Sequence, residues 1–184
     1  RVLFRSIGEW LRNGVAGRRV LEIGCGDGYS TRIAASTAQW VIACDININL
    51  LGFARDSMVI DAVCADALAG LPFRGNFNCG MAYFWMSHVR REETGRFMKS
   101  FAGQLQPGSR IHLVDSKWVE GYRHPPVRQD EQGNTYQLRT LKDGRRFEVL
   151  KNHLSREEWT VILAPFGTVE IHELSYNWAV SLRL

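Results

Sequence analysis

Cysteine is scarce in this chain and follows no pairing pattern. Of 184 residues only Cys25, Cys44, Cys64 and Cys79 are cysteines, and none stands in a CxxC pair. No His/Cys spacing supports a zinc site, so no metal is expected. All four fall in or just after strand-like runs, which reads as buried free thiols in a reducing compartment. No apolar run approaches 18 residues and no signal-peptide pattern is present, which excludes a membrane-spanning helix by sequence. A cytoplasmic protein is therefore expected. Low-complexity segments and internal repeats are absent as well. Charge of one sign is not gathered anywhere. The formal net charge is only +4, and acids interleave the richest segment, Arg139 to Arg156. That lacks the concentrated basic face of a nucleic-acid binder, and leaves a solvated surface or a local anion site as readings.

What is present is an ordinary globular composition. Apolar residues make up 45% and charged residues 23%, and aromatics are spread along the chain, so one domain over 1–184 with a sizeable core is expected. Phe4, Ile7 and Leu11 recur at helical spacing beside Trp10, predicting an amphipathic helix over 4–13. Strand and helix patterns then alternate: strands at 18–24, 40–46, 59–66, 77–85 and 109–116, and helices at 27–38, 47–56 and 91–105. Asn47 is placed to cap the second of these helices, and "QPG" (106–108) reads as a helix stop. Short links between alternating elements imply a parallel sheet with helices on both faces, doubly wound by right-handed crossovers.

After Ser116 the pattern changes. Residues 117–134 read as a long loop without regular structure, and 135–152 as a β-hairpin turning at Asp143-Gly144. A loop of that length in a compact domain is usually functional or mobile. Ser155 and Glu158 form a capping box opening a helix over 155–167. Two final strands joined by a short turn predict an antiparallel end to a seven-stranded sheet. The 117–152 segment is then an insertion between the fifth strand and the next helix.

The richest local signal is "VLEIGCGDGYS" (20–30), a strand running into alternating glycines. Bare backbone at a strand-to-helix turn lets an anionic or zwitterionic ligand lie on the amides. The dinucleotide fingerprint GxGxxG, set on Gly24 and Gly26, would need its third glycine at Tyr29; it falls at Gly28 instead. The ExGxGxG pattern resembles motif I of class I S-adenosylmethionine (SAM) methyltransferases. That resemblance implies that Glu22 helps hold the methionine end of SAM, with Gly24, Cys25, Gly26 and Gly28 close to its methionine and ribose parts. It also implies that Asp45 accepts the ribose hydroxyls and that Ile46 covers an adenine face. Asp66 would take the adenine amino group, and Ala67 would offer a backbone contact. Asp45 alone does not discriminate, because NAD enzymes also place an acid there.

The fourth strand ends in "AYFWMSHV" (82–89), where the family meets both the methionine moiety and the acceptor. Tyr83 is assigned to the cofactor and Trp85 to the substrate. Phe84 suits either the core or an aromatic pocket. Many nucleic-acid amino methyltransferases carry Asn/Asp-Pro-Pro-Tyr here; this chain does not, which fits a small organic acceptor. His88 is placed to take a proton from an acceptor, to orient a carboxylate, or to cap a helix. Asp115, at the end of the fifth strand, is expected to face the same cleft.

The resembled family places substrate-covering elements at an insertion such as 117–152, and the hairpin resembles the corresponding segment of small O-methyltransferases that act on phosphonates or carboxylates. By that resemblance Arg139 and Lys151, with Tyr136 nearby, bind a substrate anion. Ideal two-residue pairing sets Arg139 opposite Glu148, and Lys151 then reaches the same face only through a bulge or twist. The family's N-terminal helix that closes over SAM, often with a Tyr, is not evident. The reading is a SAM-dependent methyltransferase, leaving S-adenosylhomocysteine. Its acceptor would be a small molecule with an anionic or hydroxyl oxygen, without nucleic-acid or membrane partners, in a monomer or homodimer. The alternatives are an NAD-dependent oxidoreductase and a non-catalytic SAM-binding protein.

Overall fold

The computed structural model describes residues 2–54, 58–73, 76–122 and 125–184. Seven strands build the main sheet: β1 (Arg19–Ile23), β2 (Trp40–Asp45), β3 (Ile60–Cys64), β4 (Phe77–Tyr83), β5 (Leu105–Ser116), β9 (Thr168–Glu173) and β10 (Asn177–Arg183). Their order is β3-β2-β1-β4-β5-β10-β9. Parallel pairing joins β3 through β5, and β10 runs antiparallel to both β5 and β9. This is the doubly wound arrangement expected, with its reversal of strand order beside β1, where ligands of open α/β sheets bind.

Helices cover both faces. Between the sheet and α1 (Val2–Val15), α2 (Tyr29–Ala35) and α3 (Ile48–Ala54) lies one apolar layer that includes Leu11, Val15, Val20, Val41 and Met81. The opposite layer, with Leu21, Ile23, Phe97, Leu113 and Trp159, lies under α4 (Thr94–Ala102) and α5 (Arg156–Leu163). Alternate residues of β1 enter opposite layers, as the two-residue strand period requires. The α1 face expected from spacing is confirmed at Ile7 and Leu11, both buried; the side chain of Phe4 lies outside the described ones. His112, in β5, is spent on docking α1. Trp10 meets it edge-on at 4.9 Å, Ser181 Oγ lies 3.3 Å from its Nδ1, and burial pushes its imidazole down to about 4. The capping box forms as read: Ser155 Oγ accepts from the Glu158 amide, and Glu158 returns an acceptor to the Ser155 amide at 2.7 Å.

Three boundaries differ from the sequence reading. The "QPG" triplet does not separate helix from strand but lies inside β5. Phe77 pairs with Leu105 and Cys79 with Arg110, so a bulge absorbs the extra residues and accommodates the Pro107 nitrogen, which has no N–H. The 117–134 loop contains a short strand, β6 (Arg128–Gln129), paired antiparallel to β7 (Thr135–Thr140), so the insertion is a three-stranded sheet with β8 (Arg146–Leu150). The 155–167 helix ends at Leu163 and finishes in a 3-10 turn through Pro165. Residues 55 and 56 of the expected third helix, and His124, lie outside the described residues. No helix among the described residues is long and apolar enough to cross a membrane.

Candidate cofactor and acceptor site

The carboxyl ends of β1, β2, β3 and β4 come together at one crest. β1 lies between β2 and β4, so its exit is flanked on both sides. There the chain turns through Gly24 (φ 67°), Gly26 (φ 54°) and Gly28 (φ 78°), all left-handed. Two of these glycines answer to different constraints. A Cβ on Gly24 would stand 2.5 Å from Trp85 Cε3, so this glycine admits the indole beneath the turn. A Cβ on Gly26 would meet nothing within 4 Å, so the bare backbone here faces open space, where a ligand can lie on it.

Asp45 braces the turn. Its Oδ2 accepts the Gly26 amide and its Oδ1 the Asn47 amide, each at 2.8 Å. A carboxylate offers about four lone-pair sites, so acceptor capacity remains for two ligand hydroxyls. The Ala65 amide donates to the Asp45 carbonyl at 3.1 Å and keeps the ends of β2 and β3 together. Asp66 is exposed just beyond, with Oδ1 accepting the Leu68 amide at 2.8 Å, while Ala67 is buried. Ile46, 61% exposed, stands over the same edge.

Glu22 lies beneath the turn rather than in its open mouth. It is fully buried, and its Oε1 accepts from Ser30 Oγ at 2.6 Å. Among the described residues its Oε2 has no partner, nor has the buried Tyr83 hydroxyl. Burial pushes the Glu22 carboxyl up to about 7; the Ser30 bond and the nearby Thr31 hydroxyl oppose the rise, and Asp45 adds to it. Tyr83 is held well above the usual phenol range by burial and then by Glu22. Two orphaned polar atoms beside a glycine cradle are what a polar ligand end would satisfy.

The cysteines around the crest are mostly sealed. Burial raises Cys25 far above the ordinary thiol value and pushes Cys44 and Cys79 up to about 12, so none is a nucleophile. The expectation of four buried thiols is corrected at Cys64, which is exposed at the end of β3.

At the neighbouring strand end, β4 leaves the sheet through Phe84, which adopts φ 55° and is 38% exposed. A bulky residue in this conformation is strained, and such strain clusters at functional sites. Trp85 packs under Gly24 and against Phe97, with ring centroids 6.1 Å apart. A 3-10 turn, Met86–His88, follows and presents His88 at the surface. The crowding of protein around its ring lowers the His88 pKa below the ordinary imidazole value. The Lys151 charge lowers it further, as does Arg139, while Asp115 and a hydrogen bond with the Leu150 backbone oppose them.

Asp115 does not face the cleft as the sequence reading expected. It is 2% exposed, with Oδ2 accepting the Ser87 amide at 2.8 Å and Oδ1 accepting the Ser116 amide at 2.7 Å. Lys151 Nζ donates to Ser87 Oγ at 2.6 Å and stands 3.5 Å from Asp115 Oδ1, so Lys151 is a buried charge beneath the His88 turn. Arg139 is exposed on β7.

The hairpin register settles how these two cations relate. Arg139 pairs with Phe147 and Leu138 with Glu148, because the loop between β7 and β8 spans five residues, not two. This one-residue difference from ideal pairing exchanges the faces. Arg139, Gln137 and Thr135 therefore share a face with Lys151, whose amide donates to the Thr135 carbonyl at 2.8 Å, and no bulge is needed. Four residues of strand separate the two positions, roughly 13 Å. Tyr136 is turned to the other face, where its hydroxyl donates to Asp130 at 3.0 Å and its ring lies 3.7 Å from the Arg128 guanidinium. The structure does not bring Tyr136 together with Arg139 and Lys151.

Ser87, Asn134 and Asn152 escaped the sequence reading, since small polar residues carry no periodic signal. All three are buried and bonded around the hairpin root.

The fold is shared with known proteins. DhpI, solved in a complex with SAM and HEP, superposes with a TM-score of 0.83 at 24% identity, over 100% of this chain and 87% of that one. A SAM-dependent methyltransferase from Mesorhizobium loti gives 0.70 at 19% identity, over 96% and 98% of the two chains. These likenesses show the fold. Residues 20–108 also match the family model of a methyltransferase domain. That stretch, just under half of the chain, is thus similar to a methyltransferase domain. Within it lie β1 to β4, the glycine turn, Asp45, Asp66 and His88, whereas the hairpin with Arg139 and Lys151 lies beyond it. The chain is also similar to a curated protein, the 18S rRNA (guanine-N(7))-methyltransferase bud23 of Schizosaccharomyces pombe, 40% identical over 62 residues. The matched stretch is 32% of this chain and spans only 23% of that protein's length.

Proposed function

We propose that this protein methylates an oxygen of a small acceptor, with SAM as donor and S-adenosylhomocysteine as product. The acceptor group is a carboxylate, a phosphonate or a hydroxyl. The observation that carries the acceptor reading is the placement of Lys151 and Arg139 on one face of the hairpin, whose root is bonded to the His88 turn through Lys151 and Ser87. Bound SAM would supply a methyl group already activated on its sulfonium. Asp45 and Asp66 would hold the nucleoside end, and the Gly24–Gly28 turn with Glu22 and Tyr83 the methionine end. Arg139 would grip the acceptor anion with its planar fork, and Lys151 would add positive potential from beneath the His88 turn. His88 stays neutral at physiological pH and can receive a proton from a hydroxyl acceptor. The chain's main task is alignment and exclusion of water.

Methyl transfer from SAM to a panel of small carboxylates, phosphonates, alcohols and amines tests this. Arg139→Gln should raise the acceptor KM about tenfold or more with kcat little changed; an unchanged KM removes the anion site. His88→Ala should be mild for an anionic acceptor and cost about 100-fold for a hydroxyl one. In the hydroxyl case kcat/KM should fall with acidification only below the ordinary imidazole range, because the His88 pKa is lowered. A second reading, an RNA acceptor, is favoured by the identity with bud23; an RNA oligonucleotide methylated in place of the small acceptors would establish it.

A further inference from the structure

The acceptor-side histidine is bracketed by the root of the hairpin. Ser87, which precedes His88, has every polar group engaged. Its amide donates to Asp115 Oδ2 at 2.8 Å, its hydroxyl accepts from Lys151 Nζ at 2.6 Å, and its carbonyl accepts from the Asn152 amide at 2.8 Å. Val89, which follows His88, has its carbonyl held by Asn152 Nδ2 at 3.0 Å. Asn152 is therefore bonded on both sides of His88. Its remaining capacity closes the hairpin itself: Oδ1 accepts the Thr135 amide at 2.9 Å, and Nδ2 lies 3.1 Å from Asn134 Oδ1. Ser87 and Asn152 are each about 1% exposed, so no water competes for these bonds.

We propose that Ser87 and Asn152 are positioning residues, forming a clasp that fixes the His88 turn to the hairpin root so that the insertion and the acceptor-side histidine move as one body. The sheet alone would not do this. β4 ends at Tyr83, and the 3-10 turn beyond it has local bonds from the His88 amide to the Trp85 carbonyl and from the Val89 amide to the Met86 carbonyl, and a tie to β5 from the Ser87 amide to Asp115, none of which reaches the hairpin. Without the clasp, nothing in this bonding sets the His88 ring against an acceptor held by Arg139, which stands on the far arm of the same hairpin. The clasp makes acceptor grip and proton acceptance parts of one unit, and that explains why the insertion docks on the tip of β4.

This inference rests on His88 as the acceptor-side residue, and its test separates the two. The structural claim is read by amide hydrogen exchange on the full chain, which needs no acceptor. In Ser87→Ala the exchange of the His88 and Val89 amides should rise at least tenfold, while β1 and β4 amides stay unchanged. SAM affinity should stay within about twofold. Asn152→Asp is close in shape but loses the Nδ2 donor to Val89 and should show the same local rise; because Ser87→Ala keeps its backbone bonds to Asp115 and Asn152, the two variants are read together. Unchanged exchange at 88–89, or an equal rise across the whole sheet, overturns the clasp. The functional claim is read with whichever acceptor the wild type methylates in a His88-dependent way: Ser87→Ala should lower kcat at least tenfold and leave KM for SAM unmoved. A kcat equal to wild type, with exchange raised, would overturn the positioning role while leaving the clasp. A wild type that methylates with no dependence on His88 would overturn the His88 reading instead.

Discussion

Asp45→Ala is expected to weaken SAM binding about 100-fold or more. Asp45 has two duties, and alanine loses both. It braces the bare turn through the Gly26 amide and the chain after β2 through the Asn47 amide. In the proposed complex it also accepts ligand hydroxyls. Hydrogen bonds to a charged group contribute about 1.5–3 kcal/mol each, and each 1.4 kcal/mol is tenfold in affinity. Two lost ligand bonds reach that range before any loosening of the turn is counted. Calorimetric titration of the variant checks it, and an affinity within threefold of wild type would show that the carboxylate does not touch the ligand. Asp45→Asn should be nearly as weak, because its amide group can place a donor against a backbone N–H.

The second large effect is at Glu22, where stability and binding should move in opposite directions. The folded carboxyl is raised to about 7 by burial, from an ordinary 4.5. Between those values the folded protein keeps a proton that the unfolded chain has released. The ligand-free protein is therefore at no cost from Glu22 at low pH, loses stability as pH rises from about 4.5 to 7, and bears the full cost above that. The shift corresponds to at most about 3 kcal/mol. Glu22→Gln removes the charge. It should stabilise the ligand-free protein above pH 8 by about 1–3 kcal/mol and flatten the pH dependence between 4.5 and 7. The same substitution should cost roughly tenfold or more in SAM affinity, since the ionised carboxylate favours the positive amino end of the ligand. Urea unfolding against pH, with and without SAM, reads both. A variant no more stable at pH 8 would mean that Glu22 is not held in the folded protein as a strained acid.

The crest was the most legible part of the chain. Alternating glycines after an apolar strand, and acids at the ends of β2 and β3, are local patterns, and β1 to β5 follow from alternation of apolar runs with short links. What sequence does not carry is register and small polar pairing. The five-residue loop between β7 and β8 moved Arg139 from opposite Glu148 to opposite Phe147, and with it the whole face of the hairpin. Tyr136 and Arg139, three apart, look adjacent in sequence, yet a two-residue strand period sends them to opposite faces. Asp115 reads as a cleft carboxylate from its place at a strand end, but the Ser87 amide and Lys151 reach it first, from segments 28 and 36 residues away. The packing demand on Gly24 is likewise invisible without Trp85 beneath it. Asn152 carries no signal because its work is done entirely by bonds to other loops.

The most direct test of the central claim is calorimetric titration of the protein with SAM, S-adenosylhomocysteine and NAD in parallel. Saturable binding of SAM and S-adenosylhomocysteine at one site, abolished or strongly weakened in Asp45→Ala, with no binding of NAD, is the predicted result. Binding of NAD with no heat from either SAM species would contradict it.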